Sequence, residues 1–276
     1  MRIGVCSWSL QPTGPDDLAD KCARLATDLS QRWGVQLALD PLRAGWGVGG
    51  TVTALRDVGV DVISGMMAMR GEDYSTLASI RQTGGVRLDE YWAANLAAAG
   101  ENAAIARELG ISLVTFHAGF ITHDCHDPTH DLMIDRLRQL ADCFAEQGVR
   151  VALETGQETG ETLLAALSVL NRASVGVNFD PGNMILYGMG DPVAALRALA
   201  PRVVQVHIKD AVPTDVAGEW GAEVPAGDGD VDWAMFFATY RETGLSCDLV
   251  IEREAGNDRV HDVRVARALL DLHLAT

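Results

Sequence analysis

The fold is decided by four short apolar runs: VRVALE (residues 149–154), VGVNFD (175–180), VVQVHIKD (203–210) and DLVIERE (248–254). Each run is rich in β-branched side chains and is flanked by Gly, Pro or a helix-like segment, which is typical of strands buried on both faces of a parallel sheet. Each run also carries one side chain that can bind a cation, and these are Glu154, Asp180, His207 and Glu252. The sequence therefore predicts a parallel sheet with a polar group near the end of each of these strands.

The spacing of these runs favours a closed barrel. The intervals from Glu154 to Asp180 and from Asp180 to His207 are each long enough for one strand, one helix and two loops. Such units in a row bring the carboxyl ends of their strands to one rim, where barrel enzymes keep their active sites. A chain of 276 residues and 29.5 kDa suits a (β/α)₈ barrel, which typically needs ~250 residues. We therefore expect an α/β protein with a single TIM-barrel domain over residues 1–276.

The rest of the chain can supply the remaining units of such a barrel. The alanine-rich segment Asp89–Leu109 predicts a helix, with Gly110 as its C-terminal cap. Asp191, followed by proline, predicts the start of another helix, and Asn257 is expected to cap the last one. The segment Pro41–Gly50 contains too much glycine for regular structure, so a loop is predicted there. Four further runs are expected to be strands: Arg2–Trp8, Gly34–Asp40, Gly59–Gly65 and Ile111–Gly119.

Composition limits the classes of partner. The net charge is −16 and no block of Lys or Arg occurs, so the mean electrostatic field repels phosphate backbones and anionic membranes. We therefore expect neither nucleic acid nor a membrane as a partner. No apolar run approaches the ~20 residues of a membrane span, and the opening MRIGVCSWSL becomes polar too early for a signal peptide. The expectation is a soluble, cytoplasmic protein.

The cysteines are consistent with a reducing compartment. There are five of them, and none forms a C-x-x-C pair. An odd number of scattered cysteines favours free thiols over a disulfide framework. They are Cys6, Cys22, Cys125, Cys143 and Cys247.

The four strand-end groups predict a metal site. Two glutamates, one aspartate and one histidine give mostly oxygen ligands with one imidazole nitrogen, which suits Mn²⁺ best and also Mg²⁺, Co²⁺ or Zn²⁺. Any one of these residues alone could equally be a strand-end ion pair or a helix cap. A second cluster, His123, Cys125, His126 and His130, has spacing that could bind zinc. It lies in a polar loop outside the strand frame, so solvated histidines are expected there instead.

Five segments of the chain resemble a known family. The segments ALETG, VNFDPGN, VQVHIKD, PAGDGDVDW and VIERE are similar to the sugar-phosphate isomerase/epimerase superfamily of xylose-isomerase-like barrels, which includes D-tagatose 3-epimerase, inosose dehydratase and endonuclease IV. The resemblance implies one divalent metal held by Glu154, Asp180, His207 and Glu252, with the two glutamates also acting as acid and base. Endonuclease IV needs several histidines and a basic DNA track, so a nuclease is not expected from a chain of charge −16.

Further residues are predicted to contact a substrate. His117 closes the fourth strand on the same rim, and Trp8 lies at the end of the first. Lys209 and Asp210 follow His207, and Lys209 faces the rim only if its strand ends at Ile208. Asn183 is a departure from the ketose 3-epimerases, which have a histidine at the matching position. Those enzymes also carry an arginine shortly after the metal histidine, and Pro213 lies in that neighbourhood here.

The sequence leaves three functions open. The leading expectation is a metal-dependent isomerase or epimerase acting on a sugar, keto-sugar or polyol derivative through an enediolate, with one glutamate removing a proton and the other returning it. The alternative is a metal-dependent lyase of the inosose dehydratase type, in which a group on the neighbouring carbon leaves. The third is a non-catalytic sugar-binding barrel. Relatives in this family also lead us to expect a homodimer or homotetramer.

Overall fold

A closed barrel of parallel strands forms the centre of the protein. A computed structural model describes residues 1–25, 32–122, 124 and 126–275. Within this part of the chain the barrel strands run in the order β1-β10-β7-β6-β5-β4-β3-β2, and each neighbouring pair is parallel. These strands are β1 (Ile3–Cys6), β2 (Trp33–Ala38), β3 (Val60–Met66), β4 (Leu113–Phe116), β5 (Arg150–Glu154), β6 (Val175–Phe179), β7 (Val203–Ile208) and β10 (Asp248–Ile251). The prediction of a (β/α)₈ TIM barrel is confirmed.

Helices surround the sheet and connect its strands. Short 3₁₀ or π turns occur at Ser7–Leu10, Leu42–Trp46 and Ala200–Arg202. The α-helices are α1 (Pro15–Ala23), α2 (Val48–Asp57), α3 (Leu77–Thr83), α4 (Asp89–Leu109), α5 (Pro128–Ala145), α6 (Gly160–Leu170), α7 (Pro181–Leu186), α8 (Pro192–Leu199), α9 (Trp233–Glu242) and α10 (Arg259–Leu274). None of these helices is long and apolar enough to cross a membrane.

Helix ends follow the sequence closely. Helix α4 occupies the predicted Asp89–Leu109, and Gly110 ends it in the left-handed conformation, with φ of 71°. The Asp191 carboxylate accepts the N–H of Val193 at the start of α8, as expected for an N-cap. The prediction for the last helix is wrong by one residue, because Asp258 rather than Asn257 accepts the backbone N–H at its start.

Three other elements differ from the predictions. The segment Pro41–Gly50 is not an irregular loop, since it contains a helical turn and the first residues of α2. Helix α7 follows β6 directly and was not predicted. A two-stranded antiparallel hairpin, β8 (Asp210–Val212) and β9 (Ala222–Val224), stands between β7 and α9. The hairpin and α7 both lie above the carboxyl ends of the strands, where they shape the site.

Packing places the apolar core between the sheet and its helices. Every residue of β6 is buried, as expected for a strand that is covered on both faces. Helix α4 contributes small side chains to the core, including Ala99, Ala103 and Ala106, which are fully buried. The barrel interior is different, because it carries polar side chains beneath the predicted metal site.

Candidate metal centre and active-site cavity

The four predicted ligands meet at one point. Glu154 is the last residue of β5, Asp180 follows β6, His207 is the penultimate residue of β7, and Glu252 follows β10. All four are buried, and one ligand atom from each lies within 4.8 Å of those of the others. Nδ1 of His207 lies 3.6 Å from Glu154 Oε1, 3.6 Å from Asp180 Oδ2 and 3.4 Å from Glu252 Oε2.

The donor atoms of this group suit a divalent cation. Oδ2 of Asp180 and Nδ1 of His207 are buried and have no hydrogen-bond partner among the described residues. The hydrogen of the imidazole is assigned to Nε2, because Nε2 lies 2.7 Å from the acceptor Oε1 of Gln36. Nδ1 faces the carboxylates, and it is the nitrogen at which a cation would take the place of a proton. A cation at this point would satisfy both unpartnered atoms and balance three buried carboxylates.

A polar layer inside the barrel fixes the imidazole. Gln205 donates from Nε2 to Oε1 of Gln36 at 3.0 Å and to Oδ1 of Asn178 at 3.1 Å. Gln36 donates in turn to the hydroxyl of Thr115 at 2.8 Å. The sequence analysis missed these residues, although the interruption of apolar strand runs by Gln or Asn is a visible signal. The layer orients His207 and so determines which nitrogen can bind a metal.

Glu154 is held by amide and imidazole groups. Asn183 donates to its Oε1 at 2.9 Å, and Asn178 donates to its Oε2 at 3.1 Å. Nε2 of His117 lies 3.5 Å from Oε1. Burial alone would raise the pKa of Glu154, but His117 and His207 lower it below its ordinary value. Asn183 and His117 therefore lie beside the metal group, and Asn183 donates a hydrogen bond to Glu154, one of the predicted metal ligands.

Glu252 is held by an ammonium and an indole. Lys209 lies 3.0 Å from Oε2 of Glu252, and Trp8 donates from Nε1 to its Oε1 at 2.7 Å. Burial opposes ionisation, but Lys209 and His207 lower the pKa of Glu252 well below its ordinary value. Strand β7 ends at Ile208, so the condition for Lys209 to face the rim is met. Lys209 also contacts Glu254 at 2.7 Å.

A cavity of about 420 Å³ opens over this group. Such a volume is in the range of small-molecule binding sites. Predicted residues in its lining are Trp8, His117, Glu154, Asn183, Lys209 and Glu252. The remaining residues of the lining are Met66, Met67, Ala68, Glu72, Tyr74, Leu186, Tyr187, Trp220 and Glu254. Most of these lie on loops, where the sequence has no periodic pattern. The one signal in the sequence is the length of the connection after β3, which contributes several residues to the cavity wall.

Asp210 does not line this cavity, which corrects its predicted role as a substrate contact. Its carboxylate turns beneath the loop that precedes α9 and accepts hydrogen bonds from backbone N–H groups and from the indole of Trp233 at 2.8 Å. The backbone donors belong to Ala211, Gly227, Gly229 and Val231. Asp210 is the first residue of β8 and not a further residue of β7, so its side chain points away from the cavity. Its hydrogen bonds hold the PAGDGD turn in place.

The histidine loop shows no second metal group among the described residues. His126 is exposed, and Nδ1 of His130 lies 3.2 Å from the neighbouring Asp131 carboxylate. His123 and Cys125 lie outside the described residues, so the prediction for the loop as a whole stays open.

The thiols that the structure describes are free. They belong to Cys6, Cys22, Cys143 and Cys247. Cys6 lies near His207 and Glu252, in a second arrangement that can hold a metal. Burial raises the pKa of the Cys6 thiol, which disfavours the thiolate needed for ligation. The group of three carboxylates and one imidazole is therefore the better metal site.

Comparison with known proteins identifies the family. Residues 57–273 match the family described as xylose isomerase-like TIM barrel. The rhizopine catabolism protein MocC of Rhizobium meliloti is 34% identical over 149 residues, covering 48% of this chain and 45% of that protein. An inosose dehydratase of Clostridium botulinum (strain Alaska E43 / Type E3) is 27% identical over 140 residues, covering 45% of this chain and 47% of that protein.

One solved structure is similar over nearly the whole chain. A xylose isomerase domain protein from Planctomyces limnophilus is 28% identical, with a TM-score of 0.82, and the match covers 99% of this chain and 95% of that one. By contrast, the chain spans only about half the length of the curated relatives it matches. These matches show the xylose isomerase-like family and its barrel fold. The names of the relatives describe the activities of those proteins.

Proposed function

The chain belongs to the xylose isomerase-like TIM barrel family, and we propose that it is a divalent-cation-dependent enzyme that removes a proton from the carbon beside the carbonyl of a keto-sugar or keto-polyol. Isomerisation or epimerisation follows when the proton returns to the substrate. The observation that carries this proposal is the convergence of Glu154, Asp180, His207 and Glu252 beneath one cavity.

The cation would be held by these four side chains. When bound, it supplies positive charge that neutralises the negative charge developing on substrate oxygens. Mn²⁺ is the proposed ion, since oxygen ligands with one imidazole suit it, and Mg²⁺ is the next candidate.

The two glutamates would carry the proton. Glu154 is the last residue of β5 and Glu252 follows β10, so they approach the cavity from different parts of the ring. Both have lowered pKa values, which keeps them ionised and able to accept a proton. Removal by one carboxylate and return by the other, from the opposite face, would invert the carbon centre.

A dehydratase is the second candidate. The ketose 3-epimerases have a histidine at the position of Asn183 and an arginine shortly after the metal histidine, in the neighbourhood where this chain has Pro213. Asparagine cannot transfer a proton, and proline carries no positive charge. A curated relative acts as an inosose dehydratase, which favours keto-inositols among the substrates to be tried. Loss of the same proton begins both reactions, so the first step is common to them.

Incubation in D₂O tests the proposal. The protein, reloaded with Mn²⁺ after EDTA treatment, is given inosose and a panel of ketohexoses, and recovered material is read by NMR and mass spectrometry. Deuterium at the carbon beside the carbonyl, in recovered sugar or in product, is the expected result. Glu154→Gln and Glu252→Gln should each lower this exchange by at least ~100-fold.

The matched control is Glu158→Gln, which changes a buried glutamate that lines a different cavity. This variant should exchange as the wild type does. Exchange that survives in both Glu154→Gln and Glu252→Gln would overturn the two-carboxylate scheme. No exchange with any compound of the panel would favour a sugar-binding protein instead.

A further inference from the structure

We propose that Glu72 is a catalytic acid of this site and that the substrate carries an oxygen leaving group on the carbon next to the one that loses its proton. This inference rests on the proton removal of the proposed function and, of the two outcomes considered there, selects elimination over epimerisation. Glu72 lines the same cavity as Glu154, His117 and Glu252. It belongs to none of the metal-binding groups that the described residues form.

The connection that contains Glu72 leaves the barrel on the side opposite the metal group. The ligands come from four adjacent strands of the ring, β5, β6, β7 and β10. Glu72 follows β3, which stands opposite β7 in the ring and therefore faces the strand of His207. A substrate whose carbonyl points at the cation extends its more distant carbons toward the β3 side. The leaving oxygen is bonded to the second carbon from the carbonyl carbon, and it would lie on that side.

A tight backbone contact fixes the position of Glu72. Oε1 of Glu72 accepts the N–H of Gly85 at 2.8 Å. Gly85 has a φ of +64°, and a Cβ there would stand 2.0 Å from the carbonyl carbon of Ala118. Val86 N–H adds a hydrogen bond to the Ala118 oxygen at 3.1 Å. The loop that holds Glu72 is thus packed directly on the loop after His117.

The surroundings of Glu72 oppose its ionisation, whereas those of Glu252 favour it. No Lys or Arg forms an ion pair with it within the described part of the chain, in contrast to Glu252 and Glu254, which share Lys209. Burial raises the pKa of Glu72 above its ordinary value, and His117 and the N–H of Gly85 only partly offset this rise. A protonated carboxyl donates a hydrogen bond and can give up its proton.

The other candidate acids are already engaged. Lys209 contacts two carboxylates at 3.0 and 2.7 Å, and His117 lies 3.5 Å from Glu154. Both therefore help to hold the glutamates that accept the substrate proton. Glu72, whose neighbours are His117, backbone N–H groups and Tyr74, holds neither of these glutamates.

The step balances without any further reactant. A glutamate of the metal group takes the proton from carbon, and the C–H electron pair forms the C=C bond. The bond to the neighbouring oxygen breaks, its electron pair leaves with the oxygen, and Glu72 supplies a proton so that water departs. Glu72 ends as a carboxylate and the basic glutamate as an acid, and proton exchange with solvent restores both.

The test compares proton exchange with product formation in D₂O, using Mn²⁺-loaded protein and inosose as the probe. Wild type should give the unsaturated, dehydrated product. Glu72→Gln keeps the acceptor oxygen for Gly85 but cannot give a proton. It should lose at least ~100-fold in product formation, while deuterium still enters the recovered inosose at least as fast as with wild type. Asp73→Asn, at the exposed neighbouring residue, should behave as wild type.

Each other outcome is decisive. Wild type that exchanges deuterium without dehydration leaves the proposed function standing and overturns the role of Glu72. Full dehydration by Glu72→Gln overturns it as well. Equal loss of exchange and product in Glu72→Gln would mean a positioning role and would also contradict the inference. Wild type that neither exchanges deuterium nor dehydrates any compound of the panel, inosose and ketohexoses alike, would instead refute the proposed function.

Discussion

The ammonium group of Lys209 lies 3.0 Å from Oε2 of Glu252, and only 2% of the Lys209 side chain is exposed. The same nitrogen lies 2.7 Å from Glu254 and 3.8 Å from Glu223. One buried cation therefore faces three carboxylates. This arrangement keeps Glu252 ionised on the side of the site that is nearest β10, whether or not a cation is bound.

Removal of this ammonium should destabilise the fold. Lys209→Met is expected to lower the free energy of unfolding by ~3 kcal/mol or more, because it leaves buried carboxylates without their partner. Lys21→Met removes an ammonium from an i, i+4 pair with Asp17 near the surface, and should cost no more than ~0.5 kcal/mol. Urea denaturation of the metal-free protein measures both. Equal values for the two variants would contradict the importance of the Lys209 cluster.

The packing of Gly85 on Ala118 predicts a second difference. Gly85→Ala and Gly110→Ala both place a side chain at positive φ, which costs ~1–2 kcal/mol. Only at Gly85 does the added Cβ collide with backbone, since nothing lies within 4 Å of a Cβ at Gly110. Gly85→Ala should therefore be the more destabilising by at least ~1 kcal/mol. Denaturation curves of equal midpoint would show that the two loops are not rigidly packed.

Asp210 should prove structural. Asp210→Ala removes the acceptor for Gly227, Val231 and the Trp233 indole, so unfolding should become easier by ~3 kcal/mol. Asp228→Ala, at an exposed position of the same loop, should change it by less than ~0.5 kcal/mol. Mn²⁺ affinity should be retained in the folded Asp210→Ala protein. Loss of Mn²⁺ binding with unchanged stability would contradict this structural role and would show that Asp210 belongs to the binding site.

Glu158 should make stability depend on pH. Its side chain is 4% exposed, and burial raises the pKa of the carboxyl to about 8. A carboxyl whose pKa is raised in the folded state favours folding most below its unfolded pKa, and this contribution is lost as pH rises toward 8. Relative to Glu158→Gln, wild type should therefore lose up to ~1.4 kcal/mol per pH unit between about pH 5 and 8.

Urea denaturation at several pH values across that window measures the difference between wild type and Glu158→Gln. Glu161→Gln, at an exposed glutamate of the same segment, is the control for the substitution itself. A Glu158→Gln difference that does not change with pH would show that Glu158 is ionised in the folded protein.

Much of the barrel could be predicted because its strands are buried on both faces and therefore appear in the sequence as mainly apolar runs. The positions of Glu154, Asp180, His207 and Glu252 followed from the same runs, since parallel strands end on one rim. Asp210 was misassigned because its place after His207 suggested a continuing strand. The chain instead turns there into a hairpin, and the distant partners that make it do so are invisible in sequence.

Loop residues were the main omission. Glu72 and Tyr74 reach the cavity only because the Gly84-Gly85 pair packs against Ala118 and Gly119, a contact between segments far apart in the chain. Tyr187 comes from the end of α7, a helix too short to be recognised by periodicity. Such placements depend on tertiary packing, whereas strand ends depend mainly on local pattern.

Calorimetric titration of Mn²⁺ into EDTA-treated protein tests the metal centre most directly, with Asp180→Asn as the decisive variant. Asparagine keeps the oxygen that caps α7 and accepts the N–H of Asn183, but removes the charge that faces His207. We predict one Mn²⁺ per wild-type chain and at least ~10-fold weaker binding by Asp180→Asn. Absence of Mn²⁺ binding by wild type, or equal affinity in both proteins, would contradict the metal centre.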